Sequence, residues 1–304
     1  MTRSSAARLT ATLTLVAASA LCGCTSVSFA VANAPAHFTA VTRQSGLSYG
    51  DRPRQQLDLY LPPPAAAGAS SAARPVIIFW YGGSWSSGAR AEYRFVGTEL
   101  AELGYVTVVP DYRLYPEVRF PAFLDDGARA VAWVQQHIAD YGGDATRIVL
   151  MGHSAGAHMA AMLVADPQYF QRARVDAARI AAVIGLSGPY DLTPNSPMLH
   201  DIFGAPYTAH DWQVTARQTQ RAPPMLLIHG LGDRVVLSRV SEQFAAQLRS
   251  LGGEVTLREY PHCDHVCPLA ALSVPARKRA PALADVASFL EQLSARLPGS
   301  RPPS

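Results

Sequence analysis

Short apolar runs of strand character recur along the chain at residues 57–61, 76–80, 105–109, 148–151, 182–186, 225–229 and 255–260. Long stretches with apolar residues three and four apart separate most of the later ones. Residues 123–141 show it at Ala128, Val131, Ala132, Val134 and Ile138, and residues 241–251 and 283–297 repeat it. These spacings predict amphipathic helices. Alternating β and α units predict an α/β fold, a mainly parallel central sheet with helices on both faces. Such sheets bind ligands beyond the C-terminal ends of their strands, so the residues just past each strand are the ones that carry candidate chemistry.

Past the strand at 148–151 comes Gly152-His153-Ser154-Ala155-Gly156, followed by an Ala-, Met- and Leu-rich stretch to residue 164 that reads as helix. A sharp strand-to-helix turn at Ser154 needs a strained backbone at the serine and little bulk two residues either way, which gives Gly152 and Gly156 a steric reason. By itself the pentapeptide is a weak signal, arising by chance in roughly one chain in ten of this length, and Ser154 as a plain helix cap is the alternative. Past residues 76–80 comes Tyr81-Gly82-Gly83-Ser84-Trp85, a turn whose bare N–H groups suit an oxyanion hole. Gly83, Ser84 and the amide of Ala155 are the candidate donors; an ordinary glycine turn is the alternative. Past residues 225–229, Asp233 stands where an acid could orient a histidine, or could cap a turn or pair with Arg234. Past residues 255–260 comes His265, with His262 as rival base and Asp264 and Asp191 as rival acids. The chain order Ser154, Asp233, His265 is that of a Ser-His-Asp triad built on successive strand ends.

The ends read differently from the middle. Arg3 and Arg8 precede an uncharged, mostly apolar run over residues 9–21, which reads as an export signal over 1–23 and is too short to span a bilayer as a helix. Leu21-Cys22-Gly23-Cys24 resembles the bacterial lipobox, which implies Cys24 as a lipidated first mature residue and membrane attachment through it; a plainly cleaved signal, leaving the protein periplasmic or secreted, is the alternative. Residues 24–44 read as a tether, 45–297 as one catalytic domain and 298–304 as a polar tail. Of 304 residues 49% are hydrophobic, enough for one large core. The net charge is +3, or +1 once Arg3 and Arg8 are removed. With charges interspersed and no basic block, no nucleic-acid partner is expected.

With Cys22 removed and Cys24 lipidated, Cys263 and Cys267 are left, bracketing His265, either as a disulfide closing a very small loop or as free thiols. Together with His262 and His265 they resemble a crowded metal cluster, but the spacing matches no common zinc pattern. His153 and His158 fit packing roles. Trp85, Phe120, Tyr190, Tyr207 and Trp212 lie on segments able to fold over the strand ends as an aryl or acyl pocket, and residues 189–221, with Pro194, Pro197 and Pro206, read as a lid or cap.

From about Tyr49 to Leu297 the chain resembles α/β-hydrolases of the carboxylesterase type, close to bacterial esterases and to feruloyl-esterase-like and kynurenine-formamidase-like members. The resemblance rests on Leu57-Asp58-Leu59-Tyr60-Leu61-Pro62, Gly82-Gly83-Ser84-Trp85, Pro110-Asp111-Tyr112-Arg113-Leu114, Tyr141-Gly142-Gly143-Asp144, Gly152-His153-Ser154-Ala155-Gly156, and His229-Gly230 with Asp233. It implies a Ser154 nucleophile, a His265 base, an Asp233 orienter and hydrolysis of a small-molecule carboxylic ester, with no metal or organic cofactor. An amidase or formamidase with the same triad, and a non-catalytic binder on the same fold, are the alternatives. One departure is Tyr81, which stands where such proteins usually carry a histidine that braces the oxyanion turn.

Overall fold

The computed structural model describes residues 27–64 and 72–296. The expected export signal over 1–23, Cys24 and the tail over 298–304 lie outside the described residues. Helix α1 covers residues 27–33, and the strands are β1 (Thr42–Ser48), β2 (Gln56–Leu61), β3 (Arg74–Trp80), β4 (Val106–Pro110), β5 (Gly143–His153), β6 (Ile180–Leu186), β7 (Met225–Gly230) and β8 (Val255–Tyr260). They form one sheet in the order β1-β2-β4-β3-β5-β6-β7-β8. Strands β3 to β8 run parallel, while β2 is antiparallel to both β1 and β4. Six of the seven apolar runs behave as expected of doubly covered strands, with Ile77, Ile78, Leu150, Ile184 and Leu227 fully buried, while the seventh, β8, lies at the far edge and is only partly buried.

Several elements escape the pattern, β1 and the α-helix between β3 and β4 among them. β1 is polar and half exposed because it sits at the sheet edge and buries little. The tether expected over 24–44 is therefore corrected in its described part. Residues 27–33 are helical, Phe29 packs on Tyr93 with ring centroids 5.1 Å apart, and the expected 44/45 boundary falls inside β1. What holds the edge is Asp58 on β2, which accepts hydrogen bonds from Ser45 Oγ (2.9 Å) and the Gly46 N–H (3.0 Å). The second is α2 (Arg94–Glu102), with Gly97 at its middle. A side chain at Gly97 would overlap the Tyr60 ring, so the residue that weakens the helical signal is the one that lets this helix lie flat on β2.

The other helices are α3 (Ala122–His137), α4 (Ala155–Ala165), α5 (Gln168–Ala173), α6 (Pro197–Ile202), α7 (Ala209–Trp212), α8 (Val214–Arg217), α9 (Arg239–Ser250), α10 (Cys267–Ala270) and α11 (Ala282–Arg296). After β3 the chain adds β4 on one side, then crosses to add β5 on the other. Connections therefore diverge above the C-terminal ends of β3 and β5, which opens a crevice there. Both the glycine turn at 81–85 and Ser154 stand at that point.

Candidate active site

β5 ends at His153 and α4 begins at Ala155, so Ser154 alone makes the turn, at φ 52° and ψ −119°. Such a conformation costs a non-glycine residue on the order of 1–3 kcal/mol and persists only where the surroundings impose it. A Cβ on Gly152 would overlap the Gly156 backbone, and one on Gly156 would overlap the Trp80 carbonyl oxygen, so the elbow closes only with glycine at both places. The turn after β3 lies against it: a Cβ on Gly82 would come within 3.0 Å of Ser154 Cβ. In that turn Gly83, Ser84 and Trp85 take φ of 120°, 50° and 56°, and the Gly83 carbonyl accepts the N–H groups of Ser86 and Ser87.

The tertiary structure brings the three sequence candidates into one line. His265 Nε2 lies 2.9 Å from Ser154 Oγ, and His265 Nδ1 lies 2.7 Å from Asp233 Oδ2. Asp233 is buried, and its Oδ1 accepts the N–H groups of Val235 (2.8 Å) and Val236 (2.9 Å). Burial by itself would push this carboxyl up, but hydrogen bonds from His229, His265 and the Val236 N–H outweigh it and hold the group well below the ordinary carboxylate range. The rivals are placed elsewhere. His262 is exposed, and Asp264 turns its carboxylate to the Cys267 N–H.

Sequence reasoning missed His229 as part of this site. It is fully buried, with Nε2 3.1 Å from Asp233 Oδ2 and 2.9 Å from the Val236 carbonyl oxygen. Two acceptors facing Nε2 place the hydrogen there, so Ser241 Oγ, 2.7 Å from Nδ1, donates to the opposite nitrogen. Its position as the penultimate residue of β7, four before Asp233, was the available signal.

Cys263 and Cys267 form a disulfide whose loop encloses His265, which uses both sulfurs that a metal cluster would need. His153 and His158 serve as packed struts. His153 Nε2 lies 3.0 Å from the His265 carbonyl oxygen, and His158 Nε2 lies 2.7 Å from that of Trp212. Burial pushes His153 down to about 3 and His158 down to about 4, so both are neutral donors.

Tyr81 braces the glycine turn after β3 from below. Its ring stacks between Tyr93 and Tyr112, at 5.0 and 4.8 Å. Burial raises its phenol well above the ordinary value, and it donates to Asp111 Oδ1 at 2.6 Å while accepting from Arg54 at 2.8 Å. Asp111 in turn pairs with Arg90, which also reaches Asp58 at 2.9 Å. A partly buried ionic network thus lies under the turn, where the resemblance leads one to expect a single imidazole.

Of the expected pocket aromatics, Trp85, Phe120, Tyr207 and Trp212 gather over the strand ends with Phe123 and Phe203, neither of which was picked out from sequence. Tyr190 is the exception, since it stacks on Phe244 of α9 at 4.5 Å. Residues 189–221 carry α6, α7 and α8 and supply part of this cover.

A mostly parallel eight-stranded sheet with a strained serine between β5 and α4 defines an α/β-hydrolase fold. Solved structures share it: apo esterase 2 of Thermogutta terrifontis matches with a TM-score of 0.69 at 23% identity, over 86% of this chain and 97% of that one. A truncated carbohydrate esterase from gut microbiota matches with a TM-score of 0.69 at 20% identity, over 84% and 97%. Within that fold the chain belongs to the BD-FAE family, whose model matches residues 57–248. Among curated proteins it is 32% identical over 251 residues to a probable isoprenylcysteine alpha-carbonyl methylesterase of Arabidopsis thaliana, covering 75% of this chain and 52% of that protein. It is 33% identical over 241 residues to esterase LipQ of Mycobacterium tuberculosis, covering 72% and 56%. The chain thus spans about half the length of the curated relatives it matches.

Proposed function

We propose that the protein is a serine hydrolase of carboxylic esters acting through Ser154, His265 and Asp233. The observation that carries this reading is the unbroken line of hydrogen bonds from Ser154 Oγ through His265 to a buried, ionised Asp233. His265 Nε2 takes the Ser154 proton as Oγ attacks the ester carbonyl carbon, and Asp233 stabilises the imidazolium that forms. The N–H groups of Gly83, Ser84 and Ala155 receive the oxyanion, each worth roughly 3–4 kcal/mol in a dry site. Collapse expels the alcohol with the proton from His265, and water, activated by the same nitrogen, then releases the acid from Ser154. The relatives named esterases and methylesterases support the bond class.

The test is hydrolysis of p-nitrophenyl esters from acetyl to decanoyl, with methyl ferulate, by the protein and its Ser154→Ala variant. Activity present in the parent and lost by about four orders of magnitude or more in the variant supports the reading. Equal inertness of both removes it.

Export and attachment through lipid on Cys24 belong to the same proposal. Incorporation of labelled fatty acid into the bacterially expressed chain, abolished by Cys24→Ser, is the outcome it requires.

A further inference from the structure

The large apolar side chains left in water among the described residues are not scattered. Leu231, Val235 and Leu237 lie on the loop after β7 that carries Asp233, Val266 follows His265, and Tyr207 sits in the cap. All of these follow C-terminal strand ends. Val27 and Val31, exposed by 64% and 53%, belong to α1. That helix is fixed to the same rim, because Asn33 bridges the Glu92 carbonyl and the Phe95 N–H at the start of α2, just past the turn above β3. Between α1 and residues 266–279 runs an apolar trough of about 590 Å³, floored by Phe95 and Leu269 and edged by Val27, Val31, Val266 and Arg279. Val274, 49% exposed, follows it, and Phe38 lies five residues beyond α1. Arg279 lines the edge of the trough, Arg277 and Lys278 precede it along the chain, and all three are exposed. Arg277 pairs with Glu99, and Arg279 reaches Asp264 at 3.5 Å.

From this we infer that the rim formed by α1 and residues 266–279 docks on an anionic phospholipid bilayer, with Ser154 facing the membrane interface. A contiguous apolar surface of this kind on a globular domain marks an interaction site. Apolar side chains edged by lysine and arginine fit the acyl boundary and the anionic headgroups of a bilayer together. The chain outside the described residues points the same way, since Cys24, the expected lipid attachment point, lies three positions before Val27 at the edge of the trough. Docking in this orientation selects amphiphilic esters that partition into the membrane over freely soluble ones. The docking surface stands apart from the esterase reading; the substrate class rests on it.

The test compares the full chain with its Val27→Asp/Val31→Asp and Val274→Asp variants on two substrates, p-nitrophenyl acetate in solution and p-nitrophenyl decanoate dissolved in phosphatidylcholine–phosphatidylglycerol vesicles. The variants are expected to lose about tenfold on the vesicle ester with acetate hydrolysis within about twofold of the parent. Unchanged vesicle rates in both variants overturn the inference. Hydrogen exchange of the parent chain with and without vesicles decides the matter independently of how the variants fold. Slowed exchange at residues 27–33 and 266–279 supports docking, and no change there in vesicle-bound protein refutes it. A parent chain inert on acetate but protected by vesicles separates failure of the esterase reading from failure of the docking surface.

Discussion

At the scale of single residues, the site depends on a carboxylate that two histidines share. Asp233 Oδ2 receives both His265 Nδ1 and His229 Nε2, and His229 is itself held by Ser241. Removing Asp233 by Asp233→Asn leaves the geometry close to intact but offers His265 a donor where it needs an acceptor, so kcat should fall by roughly four orders of magnitude. His229→Leu acts one step back. It strips one donor from Asp233 and leaves the Val236 carbonyl and the Ser241 hydroxyl without their buried partner, a cost of about 1–3 kcal/mol each. Urea unfolding should register that loss directly, and an unchanged midpoint would mean His229 contributes nothing to holding the acid. Tyr81 carries a related lesson. From sequence it is a lone departure from a familiar turn, yet its hydroxyl is one node of a network joining Arg54, Asp111, Arg90 and Asp58. Those partners are 27, 30, 9 and 23 positions away along the chain, so no local pattern announces them.

At the scale of elements, close approach decides what can change. The β5–α4 elbow has no room at Gly156, where a methyl group would overlap the Trp80 carbonyl oxygen on β3. Gly156→Ala should therefore destabilise by several kcal/mol despite the better helix propensity of alanine, and thermal unfolding of the variant is the check. The loop after β8 is stapled by Cys263–Cys267, both buried, around His265. Closing so short a loop is worth about 2 kcal/mol in the chain-entropy picture. A Cys263→Ala/Cys267→Ala variant should lose about that much stability and a larger share of kcat than of substrate affinity, because the constraint acts on the histidine backbone. Equal KM and kcat in parent and variant would leave the bridge with a stability role alone.

Across the whole molecule, the buried ionisable groups set a direction for pH. His153 and His158, held near 3 and 4 by burial, are neutral in the fold but take up protons near 6.5 once unfolded. The unfolded chain thus binds more protons, and stability present above about pH 6.5 drains away as the pH falls toward those folded values, by up to about 1.4 kcal/mol per unit for each histidine. Asp233 acts in the same sense further down, since its lowered folded value makes its contribution disappear as the pH drops below about 4. Urea midpoints at pH 7.5 and 5.0 should differ clearly in the parent, and His158→Gln should narrow the gap. Coincident midpoints in the parent would contradict the neutral burial of these histidines.

What the sequence determined was the set of strands with two buried faces, because a continuous apolar run needs no knowledge of its neighbours to be read. It also determined the elbow, since glycine on both sides of a serine between a strand and a helix has a local steric meaning, and the order of Ser154, Asp233 and His265 along the chain. It did not disclose β1 or α2: β1 is polar at most of its positions and buries little, and the glycine that obscures α2 is explained only by the Tyr60 ring packed against it. Only the tertiary structure set His265 beside Ser154 while leaving His262 in solvent, joined His229 to the acid, turned Tyr190 away from the aromatic cover and assembled the ionic support of Tyr81. Each of those is a contact between residues whose separation along the chain carries no information about their distance in space. Hydrophobic periodicity is a property of one segment against a generic interior, whereas a hydrogen-bond partner is a property of two segments placed by the packing of the whole sheet.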